Sequence, residues 1–154
     1  MNELEFKEEL SRLLSQSGSK RPLEGASFET LTNIESTYQS KLPEVFRWYL
    51  ELCGEEPADL LRAGSLRMAS TICDLKEEVQ DGIDAKELSS SIPSKGIFFW
   101  EYLSDQYFYF LPFERDPIVY KVEIGEEPRP TKYVLSKFLV KAVEGAIIEY
   151  GAKT

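Results

Sequence analysis

The stretch GIFFWEYLSDQYFYFLPF, residues 96–113, carries nine of the chain's 19 aromatic residues and only two charges, Glu101 and Asp105. Apolar side chains recur there with a period near two, which predicts strands. IFFWEYL (97–103) and YFYFLPF (107–113) make a hairpin through Ser104, Asp105 and Gln106, and PIVYKVEI (117–124) follows as a third antiparallel strand after the turn ERDP. A three-residue loop places Phe98, Trp100 and Tyr102 on one face with Phe108 and Phe110, and Glu101 on the other with Tyr107 and Tyr109. A two-residue loop would set Glu101 beside Phe108 and Phe110, a costly burial of charge. The preferred register leaves Ile97, Phe99, Leu111 and Phe113 on the Glu101 side, for loops of this chain or for a partner to cover. In the third strand Ile118, Tyr120, Val122 and Ile124 continue an apolar face opposite Val119, Lys121 and Glu123.

Around this sheet the period changes to that of helices. Asn2 with Glu5 reads as a capping box for a first helix that buries Phe6, Leu10, Leu13 and Leu14. A second helix is expected at about 30–39, from a capping box at Thr32 to Glu35. The third is marked by Pro43 in its first turn, Val45, Phe46, Tyr49, Leu50 and Cys53 on one face, Gly54 as a left-handed cap and Pro57 beyond it. A short strand about Leu66 to Met68 precedes a helix capped by Ser70, running through Asp81 and stopped by Gly82. There Ile72, Leu75 and Val79 share one side, and Asp74, Glu77, Glu78 and Asp81 the other. After the turn GEEPRP, Phe138, Leu139, Ala142, Val143, Ala146 and Ile147 mark a closing helix ending near Gly151. The expected fold is α+β, one domain over 1–154, with an antiparallel sheet whose central aromatic hairpin packs against N-terminal and C-terminal helices.

Composition narrows the chemistry. The chain has 154 residues and no histidine, which removes the commonest general base and the commonest nitrogen ligand for transition metals. Two cysteines, Cys53 and Cys73, are too few and too far apart for a CxxC motif and read as buried thiols. No Walker loop, dinucleotide-binding GxGxxG, EF-hand loop or nucleophile elbow occurs, so no cofactor or metal is expected. No apolar run approaches the roughly 20 residues of a membrane span. The N-terminus lacks the layout of a signal peptide, so a cytoplasmic location is expected.

The net charge of −9 is uneven: residues 51–92 hold four Lys/Arg against ten Asp/Glu and so supply −6 of it. Such a surface repels nucleic acid and anionic lipid and attracts a basic partner. Asp74, Glu77, Glu78 and Asp81 form a candidate docking ridge, with Lys76 the helix's single cation. Asp74/Glu78 and Glu77/Asp81 repel across one turn, each pair costing about 0.2–0.5 kcal/mol. On the sheet, Phe99, Glu101, Tyr107 and Tyr109 are the candidate partner-binding residues. Glu101 among aromatics is also the best lone carboxylate for glycosidase-like acid–base chemistry.

IESTYQSKLPEVFRWYLELCGE (34–55) places a helix ending in Leu-Pro before an aromatic-rich helix and a glycine. Together with GSLRMAS (64–70), the aromatic hairpin, DPIVYKV (116–122) and a closing helix, it resembles the SUKH superfamily of Smi1-like proteins over about residues 28–150. The resemblance rests on Ile34, Glu35, Leu42, Pro43, Phe46, Tyr49, Leu50 and Gly54, which are mostly packing and turn positions. Where that family often has glycine in the central turn, this chain has Ser104, Asp105 and Gln106. The resemblance implies an α+β fold without catalytic residues, acting as an immunity protein that binds and neutralises a cognate toxin domain, often a nuclease, of a bacterial polymorphic toxin system. A regulatory or scaffolding module without a toxin, and a carboxylate enzyme, are the alternatives.

Overall fold

The computed structural model describes residues 1–16, 23–55, 69–102 and 105–146. Helices α1 (Glu3–Ser15), α2 (Phe28–Tyr38), α3 (Glu44–Cys53), α4 (Ile72–Asp84) and α5 (Leu135–Ala146) surround a sheet of β1 (Ile97–Tyr102), β2 (Gln106–Phe110), β3 (Ile118–Glu123) and β4 (Arg129–Val134). The strands run antiparallel in the order β1-β2-β3-β4. This is an α+β fold with helices on both faces of the sheet. The expected strand at Leu66 to Met68 and the last turn of the closing helix near Gly151 lie outside the described residues.

The helix starts show how far local signals carry. In α1 the Asn2 carboxamide accepts from the Glu5 amide at 2.9 Å and Glu5 accepts from the Asn2 amide, as the capping box requires. In α2 the expected box at Thr32 to Glu35 is overturned. Ser27 caps the helix by accepting from the Thr30 amide at 3.1 Å, and Thr32 donates back to the Phe28 carbonyl within the helix. Glu35 instead accepts from the Leu42 amide at 3.0 Å and pairs with Arg47 at 3.2 Å, which joins α2 to the start of α3. A left-handed residue, Gln39 with φ 52°, ends α2. Gly54 is right-handed, φ −61°, not the expected left-handed cap.

The approach to α4 also departs from expectation. A 3-10 turn at Ala69–Thr71 leads in, and Thr71 rather than the expected Ser70 stands at the N-cap position. Nor does Gly82 stop it, since the helix runs to Asp84. Gly82 sits where the following strap, residues 85–96, folds back and presses Leu88 onto the helix. A Cβ there would stand 2.7 Å from the Leu88 Cδ1. The glycine reflects close packing.

The hairpin keeps part of its predicted register and loses the rest. Trp100 opposes Phe108 and Glu101 opposes Tyr107, so near the turn the faces are shared as expected, although Gln106 already pairs with Tyr102 inside the strands. A bulge between Phe98 and Trp100 then shifts the remainder. Phe99 and Trp100, consecutive in sequence, both meet Phe138 of α5, with ring centroids 5.6 and 5.0 Å apart. Phe98 is displaced to the opposite face, against Tyr109 at 5.0 Å. Ile97 and Phe99, expected on the Glu101 side, therefore lie in the main core. β4 was not expected: Pro130 and the charges of RPTKYV obscure a strand, but at an edge only one side of the backbone needs partners.

Two apolar clusters result. The larger unites α1, α2, α3 and α5 with Ile97, Phe99, Phe110 and Val119 on one face of the sheet. The smaller lies on the other face, where Leu75 and Val79 of α4 and Leu88 and Ile92 of the strap cover Phe98, Tyr107, Tyr109 and Val122. Polar contacts fasten the periphery. Asp116 accepts from the Ser136 amide and hydroxyl at 2.8 and 2.6 Å, capping α5 from a distant loop. Arg115 pairs with Glu44 at 2.8 Å and lies 5.0 Å from the Trp48 ring.

Candidate protein-binding surface on α4

The outer face of α4 holds its carboxylates in solvent as the helical period predicts: Asp74, Glu77, Glu78 and Asp81 are all exposed. The one cation of the helix is turned away from them. Lys76 donates to the Thr37 carbonyl at 2.7 Å and lies 5.3 Å from the Tyr38 ring centroid, at the C-terminal end of α2. A helix C-terminus carries partial negative charge, so this is a favourable berth for an ammonium group. The Tyr38 hydroxyl in turn donates to the Ile72 carbonyl at 3.0 Å and approaches the Phe98 carbonyl at 3.5 Å. Burial pushes its pKa far above the ordinary 10.0, so it stays a donor. Those contacts tie α2, α4 and β1 together and fix the orientation of the acidic face.

At its C-terminal end that face opens into a cleft of about 480 Å³. Its walls carry Glu78 and Asp81 from α4, Glu87 from the strap and Glu101 from β1, over a floor that includes Tyr107 and Ile124. The strap is held across the sheet by the Gly125 amide, which donates to the Glu87 carbonyl at 3.1 Å, and by Ser89, which donates to Glu127 at 2.9 Å. Among the described residues no Lys or Arg lines this cleft. Carboxylates are acceptors without donors of their own, so the arrangement suits a cationic donor. No group of three or more His, Cys, Asp or Glu among the described residues could hold a metal ion.

The structure thus brings Glu78, Asp81, Glu101 and Tyr107 to one place and leaves Asp74 and Glu77 on the exposed ridge. Phe99 and Tyr109 are corrections. Each is only 1% exposed, Phe99 through the bulge and Tyr109 under α4 and the strap, so neither offers a surface to a partner. Tyr107 is 7% exposed and is among the residues that line the cleft. The apolar residues expected to need a cover mostly receive it from this chain; Phe113 alone stays 70% exposed. Glu87 was missed because nothing in its local sequence shows that the strap returns over α4.

The thiols carry no reactive signature. Cys53 is buried in the larger cluster, which pushes its pKa up to about 12. Cys73 is half-buried, with its thiol 3.9 Å from the Asn33 carbonyl. Among the described residues no helix is long and apolar enough to cross a membrane. No protein-family model matches the chain, and no curated protein matches it.

Proposed function

We propose that this protein is a toxin-neutralising immunity protein that acts in the cytoplasm by stoichiometric binding to a basic toxin domain. The observation that carries the reading is the exposed carboxylate face of α4, whose only cation is bound to the end of α2. A net charge of −9 concentrated in that third of the chain favours encounter with a cationic surface. Domains that attack nucleic acid commonly present basic surfaces to phosphate, and an acidic ridge can occupy such a surface. The resemblance of residues 28–150 to SUKH proteins supports the same reading.

Co-expression with the product of the neighbouring reading frame tests it. Rescue of growth from a toxic product, with a one-to-one complex recovered on purification, is the expected result. A neighbour that is harmless, or whose toxicity is unrelieved, leaves the second reading, a regulatory or scaffolding module, in its place. With a toxin in hand, reversing Glu77, Glu78 and Asp81 to lysine should slow association and flatten its salt dependence. Unchanged association would move the contact off α4.

A further inference from the structure

Resting on that partner-binding reading, we infer that the β3 and β4 half of the sheet, on the side where α4 lies, is the apolar seat on which the basic protein partner docks. The cover formed by α4 and the strap buries Phe98, Tyr107, Tyr109 and Val122, and it stops short of the outer strands. There Ile118, 37% exposed, pairs with half-buried Val134, and half-buried Tyr120 pairs with exposed Pro130. Residues paired across antiparallel strands share a face, so these four adjoin. Phe113, 70% exposed, stands in the turn that leads into Ile118. The opposite face of the same strands is closed: Val119 is buried in the larger cluster and Tyr133 packs against it.

The seat is formed in advance. Tyr120 stacks on Tyr109 with ring centroids 5.4 Å apart, the Thr131 hydroxyl donates to the Val119 carbonyl at 2.8 Å, and the Leu135 amide donates to the Pro117 carbonyl at 2.8 Å. Groups already held lose little freedom on binding. Charge selects the occupant. A second copy would bring the same net charge of −9, which opposes self-pairing. A basic partner is instead attracted by Asp74 and Glu77, exposed on α4 on this same side of the sheet. Strands lie about 4.8 Å apart, so the four-stranded sheet is about 14 Å wide, and one partner domain can span the ridge and the open strands together. The ridge then governs encounter, while Phe113, Ile118 and Tyr120 supply the apolar anchors that hold the complex.

The test uses the whole protein and an amphipathic helical peptide of leucine and lysine, about 14 residues or 20 Å long, followed by amide chemical shifts. Two companion peptides carry alanine in place of leucine, or glutamate in place of lysine. Saturable shifts centred on Ile118, Tyr120 and Val134 are expected with the leucine-lysine peptide alone. Ile118→Thr with Phe113→Ser should weaken its binding about threefold or more, with unmoved shifts in α1 and α3 as the check of folding. Phe28→Ser, which removes an aromatic ring 81% exposed on α2, should not. Asp74→Asn with Glu77→Gln should weaken binding at low salt and much less at high salt. Shifts centred elsewhere, equal binding of either companion peptide, no effect of either double variant, or a dimer of the free protein joined through Ile118 would each overturn the inference. Failure here alongside rescue in co-expression removes the seat and keeps the toxin reading. Binding here beside a harmless neighbour keeps the seat and removes the toxin.

Discussion

The two faces of the sheet are built differently. On one, four helices enclose Phe46, Phe99, Phe110 and Leu139 in a continuous cluster. On the other, one helix and a strap cover a smaller cluster whose margin is polar and opens into the acidic cleft. A deep core resists any change of volume, because its neighbours are held from every side. A thin cover leaves room for charge at its edge, and there the chain can afford mutually repelling carboxylates.

The largest effect that would sharpen the contrast is a matched pair of truncations. Leu50 and Leu75 are both fully buried, one in each cluster. Leu50→Ala should cost about 4 kcal/mol and Leu75→Ala about 2 kcal/mol in urea unfolding, since α4 and the strap can settle into the void. Equal costs would show that the thin side is as rigid as the deep one.

Alkaline titration comes next. Burial raises the pKa of Cys53 from 9.0 to about 12 and that of Tyr109 from 10.0 to about 12, and it also raises Tyr38 and Tyr49. The folded chain therefore holds protons that the unfolded chain releases. Stability should be level below pH 9 and fall above it, by up to about 1.4 kcal/mol per pH unit for each such group. Cys53→Ala should move the onset of that fall toward pH 10, where the tyrosines begin; an unmoved onset would mean that the deep core admits the thiolate.

The joint between the two sides is the third place to cut. Tyr38→Phe removes the hydroxyl that serves the Ile72 and Phe98 carbonyls and should cost about 1–2 kcal/mol. Amide exchange should rise in α4 more than in α3; a uniform rise would deny the joint. The smallest effect is expected for Lys76→Ala, about 0.5 kcal/mol from loss of its berth at the end of α2. The same change should speed association with a basic partner slightly, because it removes a positive charge beside the ridge.

What the sequence disclosed follows from the range of its signals. Helical faces were legible, Phe6 to Leu14 in α1 and Ile72, Leu75 and Val79 in α4, because a 3.6-residue period is set within the element itself. The alternation in β1 and β2 was legible near the turn and failed at Phe99, since a bulge adds one residue that a period of two cannot signal. Candidate residues on α4 were found from the period, whereas Phe99 was misplaced by that bulge, and Tyr109, on its expected face, is covered by α4 and the strap. Glu87 depends on how the strap lies, which is a tertiary fact.

The ends of the sheet carry a consequence for how this chain meets copies of itself. Along β1 the bulge at Phe99 breaks the ladder and the Tyr38 hydroxyl occupies the Phe98 carbonyl. Along β4, Pro130 lacks an N–H, and the exposed Arg129 and Lys132 add charge to the rim. Neither margin presents a flat, regular row of donors and acceptors, which is the template that edge-to-edge aggregation needs. Both margins of this aromatic-rich sheet thus carry features that work against edge-to-edge pairing.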